Sequence, residues 1–172
     1  MVPLAILIAV MSAGSAGGRP QQGPPVVELV LRERLQVAVA GARAAAERID
    51  VKTVTLDGAS GARIEASVER VRQSDHLVKT AAEFARQNPS SMSAQLILLL
   101  QLDGYQTQVD SVAVNVDGVM ARASAADAKR MSAWADELSD ALDALLKVRM
   151  ALETVVSEMV ADGEKRLHDC GK

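Results

Sequence analysis

The sequence predicts an all-α protein, and more closely an antiparallel four-helix bundle whose helices differ in length. Hydrophobic residues make up 49% of the 172 residues, yet there is only one tryptophan, one tyrosine and one phenylalanine, so alanine, valine and leucine must build the core. Apolar residues recur at steps of three and four in four long segments, which is the spacing of one helix face. Segments rich in glycine, proline or serine separate them. Helices with a single apolar stripe bury those stripes together, as a bundle does.

The first helix is predicted from residue 26 to about residue 49. Pro24 and Pro25 precede it. Its apolar residues fall at helical steps: Val27, Leu31, Leu35, Ala38, Ala42, Ala45 and Ile49. The stretch DVKTVTLDGASG then interrupts the pattern, because Asp57-Gly58 is typical of a turn and TVT favours an extended backbone. A connection of this length would cross one end of the bundle.

The second helix is predicted from residue 62 to residue 87. Its inner face consists of Ile64, Val68, Val71, Val78, Ala82 and Ala85. The helix should stop at NPSS, because Pro89 restricts Asn88 and cannot continue the hydrogen-bond ladder. Ser90 or Ser91 would then cap the third helix by accepting from its free amide groups.

The third segment has two interpretations. Residues 102–118, LDGYQTQVDSVAVNVDG, alternate apolar and polar side chains into an Asp-Gly pair, as a β-hairpin does. The same stretch also belongs to a heptad pattern that steps by four and three: Leu98, Leu102, Tyr105, Val109, Val112, Val116 and Val119. Because that pattern begins upstream of the supposed hairpin and continues through its turn, we favour a helix. Gly104, Gly118 and the β-branched valines weigh against it.

The last helix is predicted from residue 125 to about residue 162. SAAD at residues 124–127 is typical of a capped start, with an acidic group facing the amide ends. One long apolar face follows: Met131, Trp134, Leu138, Leu142, Leu145, Val148, Leu152, Val155 and Met159. Such a helix would be about 55 Å long at ~1.5 Å per residue. We expect it to extend beyond the shorter first helix and to offer its free face to a partner.

The amino terminus predicts export. Residues 1–16, MVPLAILIAVMSAGSA, contain a short apolar run followed by small residues, which is typical of a signal peptide cleaved after Ala16. An uncleaved anchor or a buried helix is the alternative, since no lysine or arginine precedes the run. Residues 17–25, GGRPQQGPP, would be a flexible spacer. The bundle domain would then cover residues 26–168, with residues 169–172 as a tail.

Candidate catalytic and calcium sites are weak. Asp103, Asp110 and Asp117 stand one heptad apart, about 10 Å between neighbours, too far for side chains to share a calcium ion. We expect them on a solvated flank of the helix. Ser74, Asp75 and His76 include the residue types of a hydrolase triad, but adjacent residues on a helix point in different directions. Asp75 falls between inner positions and would be a buried carboxylate that needs a partner.

Cofactor sites are no better supported. His76 and His168 are the only histidines and neither belongs to a Glu-x-x-His motif, so a di-iron bundle is excluded. There is no C-x-x-C-H motif for covalent haem. Non-covalent haem would need axial methionine or histidine in the core. Five methionines are available, although methionines at helical spacing usually fill cores: Met92, Met120, Met131, Met150 and Met159.

The carboxyl-terminal residues include the only cysteine, Cys170. Glu164 and His168 lie one turn apart just before it, but three groups from one chain end make a poor zinc site. In an exported chain Cys170 has no partner within the same molecule. It is therefore expected to be a free thiol or to form an intermolecular disulfide.

No feature of the sequence points to an enzyme. The formal net charge of −3 and the scarcity of aromatic residues disfavour nucleic-acid binding. After the leader, no segment is long enough to cross a membrane. The sequence therefore favours an exported non-enzymatic bundle that acts through contacts with a protein partner or a second copy of itself, in the cell envelope or outside the cell. The alternative is a periplasmic bundle that binds a small ligand or haem, which requires a cavity among the helices. No cofactor or metal is assigned.

Overall fold

A computed structural model describes the backbone of residues 26–170 and the side chains of residues 30–165 and 168. Within that range the chain forms helices of unequal length with a long last one, and no strand, which confirms the predicted all-α class. The elements in order are α1 (Val26–Glu47), a 3-10 turn (Val51–Thr53), α2 (Gly58–Gln87), α3 (Met92–Met120) and α4 (Ala125–Cys170). No helix in this part of the chain carries a stretch long and apolar enough to span a membrane.

Helices α2 and α3 run antiparallel, as two polar contacts between them show. Near the start of α2, Asn115 Nδ2 donates to Ser67 Oγ at 2.7 Å. Near its end, Gln95 Nε2 lies 3.4 Å from the carbonyl oxygen of Ala85. The fourth side of the bundle is closed by α1, which packs more extensively on α4 than on α2. This uneven packing of α1 leaves space beside α2.

The core consists of alanine, valine and leucine around one aromatic ring. Tyr105 is fully buried, as are Leu102 and Leu145 from α3 and α4. The first helix contributes mostly small residues, with Ala42 and Ala46 completely covered. Alanine lets helix backbones approach closely, which suits the extensive packing of α1 on α4.

The second helix begins earlier than predicted. Asp57 is its N-cap: Oδ1 accepts from the backbone N–H of Ser60 and Oδ2 from its hydroxyl, both at 2.7 Å. These hydrogen bonds from Ser60 lower the pKa of Asp57. The Asp57-Gly58 pair is therefore a helix start and not a turn, because aspartate serves equally well in either role.

The other caps agree with the sequence patterns. As predicted, α2 ends just before Asn88 and Pro89, and Ser91 caps α3 by accepting from the backbone N–H of Ala94 at 3.3 Å. Ser124 accepts from the N–H of Asp127 at 3.2 Å and donates to its carboxylate at 2.8 Å. The predicted end of the last helix near residue 162 is wrong, since α4 continues to Cys170. Gly163 has no positive φ and no proline follows, so nothing there stops the helix.

The stretch that could have been a hairpin is part of α3, which runs unbroken through both of its glycines. A Cβ atom at Gly104 or Gly118 would meet no other atom within 4 Å, so neither glycine is needed for a close approach. Val112 and Val116 are fully buried, whereas Val114 is 61% exposed. A strand would place all three on one face, but a helix separates the middle one from the others.

We therefore expect Val112→Ala and Val116→Ala each to lower the free energy of unfolding by roughly 1–3 kcal/mol, because each leaves a void in the core. Val114→Ala should change it by less than about 0.5 kcal/mol in either direction, since it removes exposed methyl groups and adds a better helix former. Urea unfolding followed by circular dichroism measures all three. Equal losses at the three positions would contradict the helix.

Candidate functional site

A cavity of about 450 Å³ lies between α1 and α2, near the end of the bundle where α2 finishes and α3 begins. Its volume is within the range of small-molecule sites. All four helices contribute to its walls, which are mainly apolar. The wall side chains used below are Leu35 and Val39 of α1, Val78 and Ala82 of α2, Leu98 of α3, and Val148 and Leu152 of α4.

The cavity exists because α1 and α2 present small residues to each other where they face across the gap. Ala40 of α1 and Ala82 and Ala85 of α2 all line it. Alanine side chains are too short to fill the space that remains when α1 packs chiefly on α4. The opening of the cavity therefore runs along the line between α1 and α2.

A polar cluster closes the inner end of this gap. We use that name for Arg43 and Glu47 of α1 with Arg72, Asp75 and Lys79 of α2. The Asp75 carboxylate is 4% exposed, and its Oδ2 accepts from Lys79 Nζ at 2.7 Å and from Arg43 Nη1 at 3.3 Å. Its Oδ1 is buried and has no hydrogen-bond partner among the described residues. The prediction of a buried carboxylate that needs a partner is confirmed.

Glu47 completes the polar cluster by joining the two helices a second time. It accepts from Arg43 Nε at 2.9 Å and from Arg72 Nε at 3.2 Å. The hydrogen bond from Arg43 lowers the pKa of Glu47, and Arg72 adds to that effect. These pairs are partly exposed, so they fix the register of α1 on α2 more than they stabilise the fold.

Tyr105 connects the core to the wall of the cavity. Its hydroxyl donates to the carbonyl oxygen of Val39 at 3.1 Å, across the bundle from α3 to α1. Burial raises the pKa of the Tyr105 phenol, and the charge of nearby Asp75 raises it further. The bond holds the part of α1 that lines the inner half of the cavity.

The outer end of the cavity is charged. Two cations, Arg32 and Arg86, line it together with a single carboxylate, Glu83. Glu83 accepts from Arg86 Nε at 2.6 Å and from Gln87 Nε2 at 2.8 Å. These hydrogen bonds, Arg86 foremost, lower the pKa of Glu83 to about 2. Glu83 thus stays ionised and engaged at any ordinary pH.

Exposed apolar side chains gather on a different surface, the outer side of the α2–α3 hairpin. We call this the hairpin patch, and it consists of Leu77, Phe84, Leu96, Ile97 and Leu100, which are 42–67% exposed. The two residues of α2 are seven positions apart and share a face, as do the three residues of α3. The pairing of Ala85 with Gln95 brings the two groups side by side. Contiguous exposed apolar surface of this kind is typical of an interaction site.

The other residues singled out in the sequence are not brought together. Asp103, Asp110 and Asp117 are exposed, as their heptad positions predict, and Asp103 accepts from Arg149 Nη1 at 2.7 Å. The Ser74 hydroxyl donates to the carbonyl of Arg70, and His76 is exposed on the next turn. Among the described residues no three histidine, cysteine, aspartate or glutamate side chains form a metal-binding group.

The two ends of the chain are described only in part. Glu164 and His168 are exposed on the last turns of α4, and Cys170 is its final residue. The side chain of Cys170 lies outside the described residues, and so does all of Ala16. Cleavage after Ala16 and an intermolecular disulfide at Cys170 stay predictions.

The cavity was missed at the sequence level, although most of its walls were recognised. The sequence pattern places Val78, Ala82 and Ala85 on the inner face of α2, and Leu35 on that of α1, but it does not show where the packing between these faces is incomplete. The sequence feature that could have predicted the cavity is the alanine content of the apolar stripes by which α1 and α2 face each other. Charged residues at the edges of those stripes, such as Arg32, are a second feature of this kind.

No protein-family model and no curated protein matches this chain. The cavity, its charged outer end and the hairpin patch are therefore the features from which a function can be argued.

Tyr105→Phe is expected to lower the free energy of unfolding at neutral pH by roughly 0.5–1.5 kcal/mol, because it removes one buried hydrogen bond. The folded protein binds the phenolic proton more tightly than the unfolded chain, so wild-type stability falls as pH rises above about 10, the ordinary pKa of tyrosine. The variant lacks this loss, and the difference between the two proteins should shrink there. Urea unfolding at neutral and alkaline pH measures it.

The same experiment has an independent optical check. Tyr105 is the only tyrosine, so tyrosinate absorbance reports this single group. It should appear only as the protein unfolds. Titration near pH 10 in a protein that is still folded would show that the phenol is accessible and would contradict its buried position.

Proposed function

We propose that this protein is an exported, non-enzymatic binding protein whose helical bundle holds a small, mainly apolar ligand between α1 and α2. The cavity is the observation that carries the proposal, because a ligand-binding bundle needs such a space. The leader-like residues 1–16 support export. The Ser74 hydroxyl donates to the backbone carbonyls of Arg70 and Val71, which is consistent with a role without catalysis.

Burial of apolar ligand surface against the cavity walls would provide the binding energy. Leu35, Val39, Val78, Leu98 and Leu152 offer aliphatic contact from four helices. Each Å² of apolar surface removed from water contributes about 25 cal/mol. The polar cluster and the Tyr105 bond hold α1 in place before a ligand arrives, so little ordering is needed on binding.

The residues that line the cavity do not support haem as the ligand. The described residues that line the cavity include no histidine, methionine or cysteine, so none of them could be an axial ligand. Met131, one of the methionines considered above, is completely buried in the core and is not a wall residue. An organic ligand without iron fits the site better.

Filling the cavity should abolish binding. Ala82→Phe places a large side chain inside the cavity, whereas Ala66→Phe, on an exposed position of the same helix, leaves it unchanged. We expect the uncharged fluorescent probe N-phenylnaphthylamine to bind wild type and Ala66→Phe equally, and Ala82→Phe at least about tenfold more weakly. Fluorescence titration measures the three affinities, and circular dichroism checks that each variant is folded.

Two results would count against the proposal. If wild type does not bind the probe, the cavity does not accept an apolar molecule. If Ala82→Phe binds it as well as wild type does, the probe sits elsewhere, with the hairpin patch as the obvious alternative.

A second candidate function, contact with another copy of the chain, is favoured by the hairpin patch. Phe84 and Leu100 are 42% and 67% exposed, and their apolar surface would be removed from water if two hairpin patches packed together. A symmetric dimer uses the same surface twice, which suits a single patch. Cys170, the only cysteine, could add an intermolecular disulfide after export.

A native mass spectrum of the protein recovered after export should show the mass expected for cleavage after Ala16 and a dimer. Leu100→Glu should yield monomer, because it places a charge in the centre of the hairpin patch. Val37→Glu should leave the dimer intact, since Val37 is 73% exposed on α1, away from the patch. Reductant should remove only the fraction linked through Cys170.

Each outcome of the native mass spectrum bears on a different part of the proposal. A retained leader would contradict cleaved export without affecting the dimer. Wild-type monomer at every concentration would show that the hairpin patch does not join two copies, and identical behaviour of both variants would remove the patch from the interface.

A further inference from the structure

The charges at the outer end of the cavity are not balanced among themselves. Of the two cations that line it, Arg86 is bound to Glu83. Arg32 is half-buried on α1 and makes no hydrogen bond or ion pair with another described residue. Its guanidinium therefore has donors to spare at the rim of an apolar space.

Glu83 is already engaged by other donors. Both of its carboxylate oxygens already accept from Arg86, and Gln87 donates to one of them. Arg32 is close enough that its charge helps to lower the pKa of Glu83, yet it forms no ion pair with it. An anion next to Arg32 would thus complete the set of charges and displace no existing bond.

We propose that the ligand is an anionic amphiphile, a carboxylate on an unbranched aliphatic chain, with its head group on Arg32 and its tail inside the bundle. This rests on the function proposed above and specifies its ligand class. Arg32 can bind a carboxylate through two parallel N–H donors, which a planar guanidinium is built to do. Arg86, across the opening on α2, stays paired with Glu83.

The shape of the cavity suits a chain with one polar end. Its walls extend along α1 from Leu31 to Ala40, roughly 14 Å at ~1.5 Å per residue. Polar rim groups lie at the outer end, and Val39, Val78 and Val148 lie deeper. The volume of about 450 Å³ is roughly three times that of a cavity known to take benzene, ~150 Å³. A medium-length aliphatic chain fits such a space.

The test compares three probes that share one ten-carbon chain: decanoate, methyl decanoate and decylamine. Isothermal titration calorimetry on the full chain at neutral pH gives each dissociation constant. We expect decanoate to bind about tenfold more tightly than its ester, since one charge-assisted pair is added, and decylamine to bind most weakly. Ala82→Phe should remove decanoate binding, which places the probe in the cavity.

The head-group contact is tested by Arg32→Gln, with Arg34→Gln as the matched control. Arg34 is an exposed arginine of the same helix and does not line the cavity. Arg32→Gln should reduce decanoate affinity to that of the ester and leave ester binding unchanged. Arg34→Gln should change neither.

Each contrary result has a distinct meaning. Equal affinity of wild type for decanoate and methyl decanoate, or a preference for decylamine, would overturn the head-group assignment and leave an apolar binding site. Equal weakening of all three probes by Arg32→Gln would show that Arg32 shapes the cavity and is not a carboxylate ligand. If none of the probes binds, the proposed function fails together with this inference.

Discussion

The way α1 is held against α2 determines most of what is distinctive in this bundle. Elsewhere apolar stripes close on each other, but these two helices are joined through the polar cluster around the buried carboxylate of Asp75. A buried charge is costly unless its partners are in place, and Arg43 can reach Asp75 only when α1 is in register with α2. Because Arg43 and Lys79 are partly exposed and reach inward from the surface, the cluster specifies position more than it adds stability.

The cavity follows from that arrangement. The polar cluster sets the distance between α1 and α2 at one end. The alanines beyond it are too small to fill the gap between the two helices. In a well-packed core such a void would be filled, since each lost contact costs dispersion energy. The proposal that it binds a ligand rests on its position beside charged residues of mixed sign, among which Arg32 has no bonded partner in the described part of the chain. The Tyr105 bond to Val39 then keeps the inner wall fixed.

The fold could be predicted from the sequence because its signals are local. The heptad steps from Leu98 to Val116 identified α3 despite two glycines and an alternating stretch, and Ser91 and Ser124 are caps as their sequence contexts indicate. Errors arose where a local signal has two meanings: Asp57 suits a turn or a cap, and Gly163 can end a helix or lie within one. Asp75 was recognised as a buried carboxylate, but its partner Arg43 lies on another helix. The cavity results from incomplete packing between helix faces that the sequence pattern identified correctly. Residue types alone do not show where such packing is incomplete.

One consequence concerns how a molecule would enter. α1 is far shorter than α4, contributes mostly alanine to the core and lies over the cavity. If the end of α1 that precedes the Tyr105 bond unfolds locally, the cavity opens with it. A ligand that binds only the closed form would raise the free energy of that opening by RT ln(1 + [L]/Kd). Slower hydrogen exchange in α1, with α3 unchanged, would then be a direct measure of occupancy.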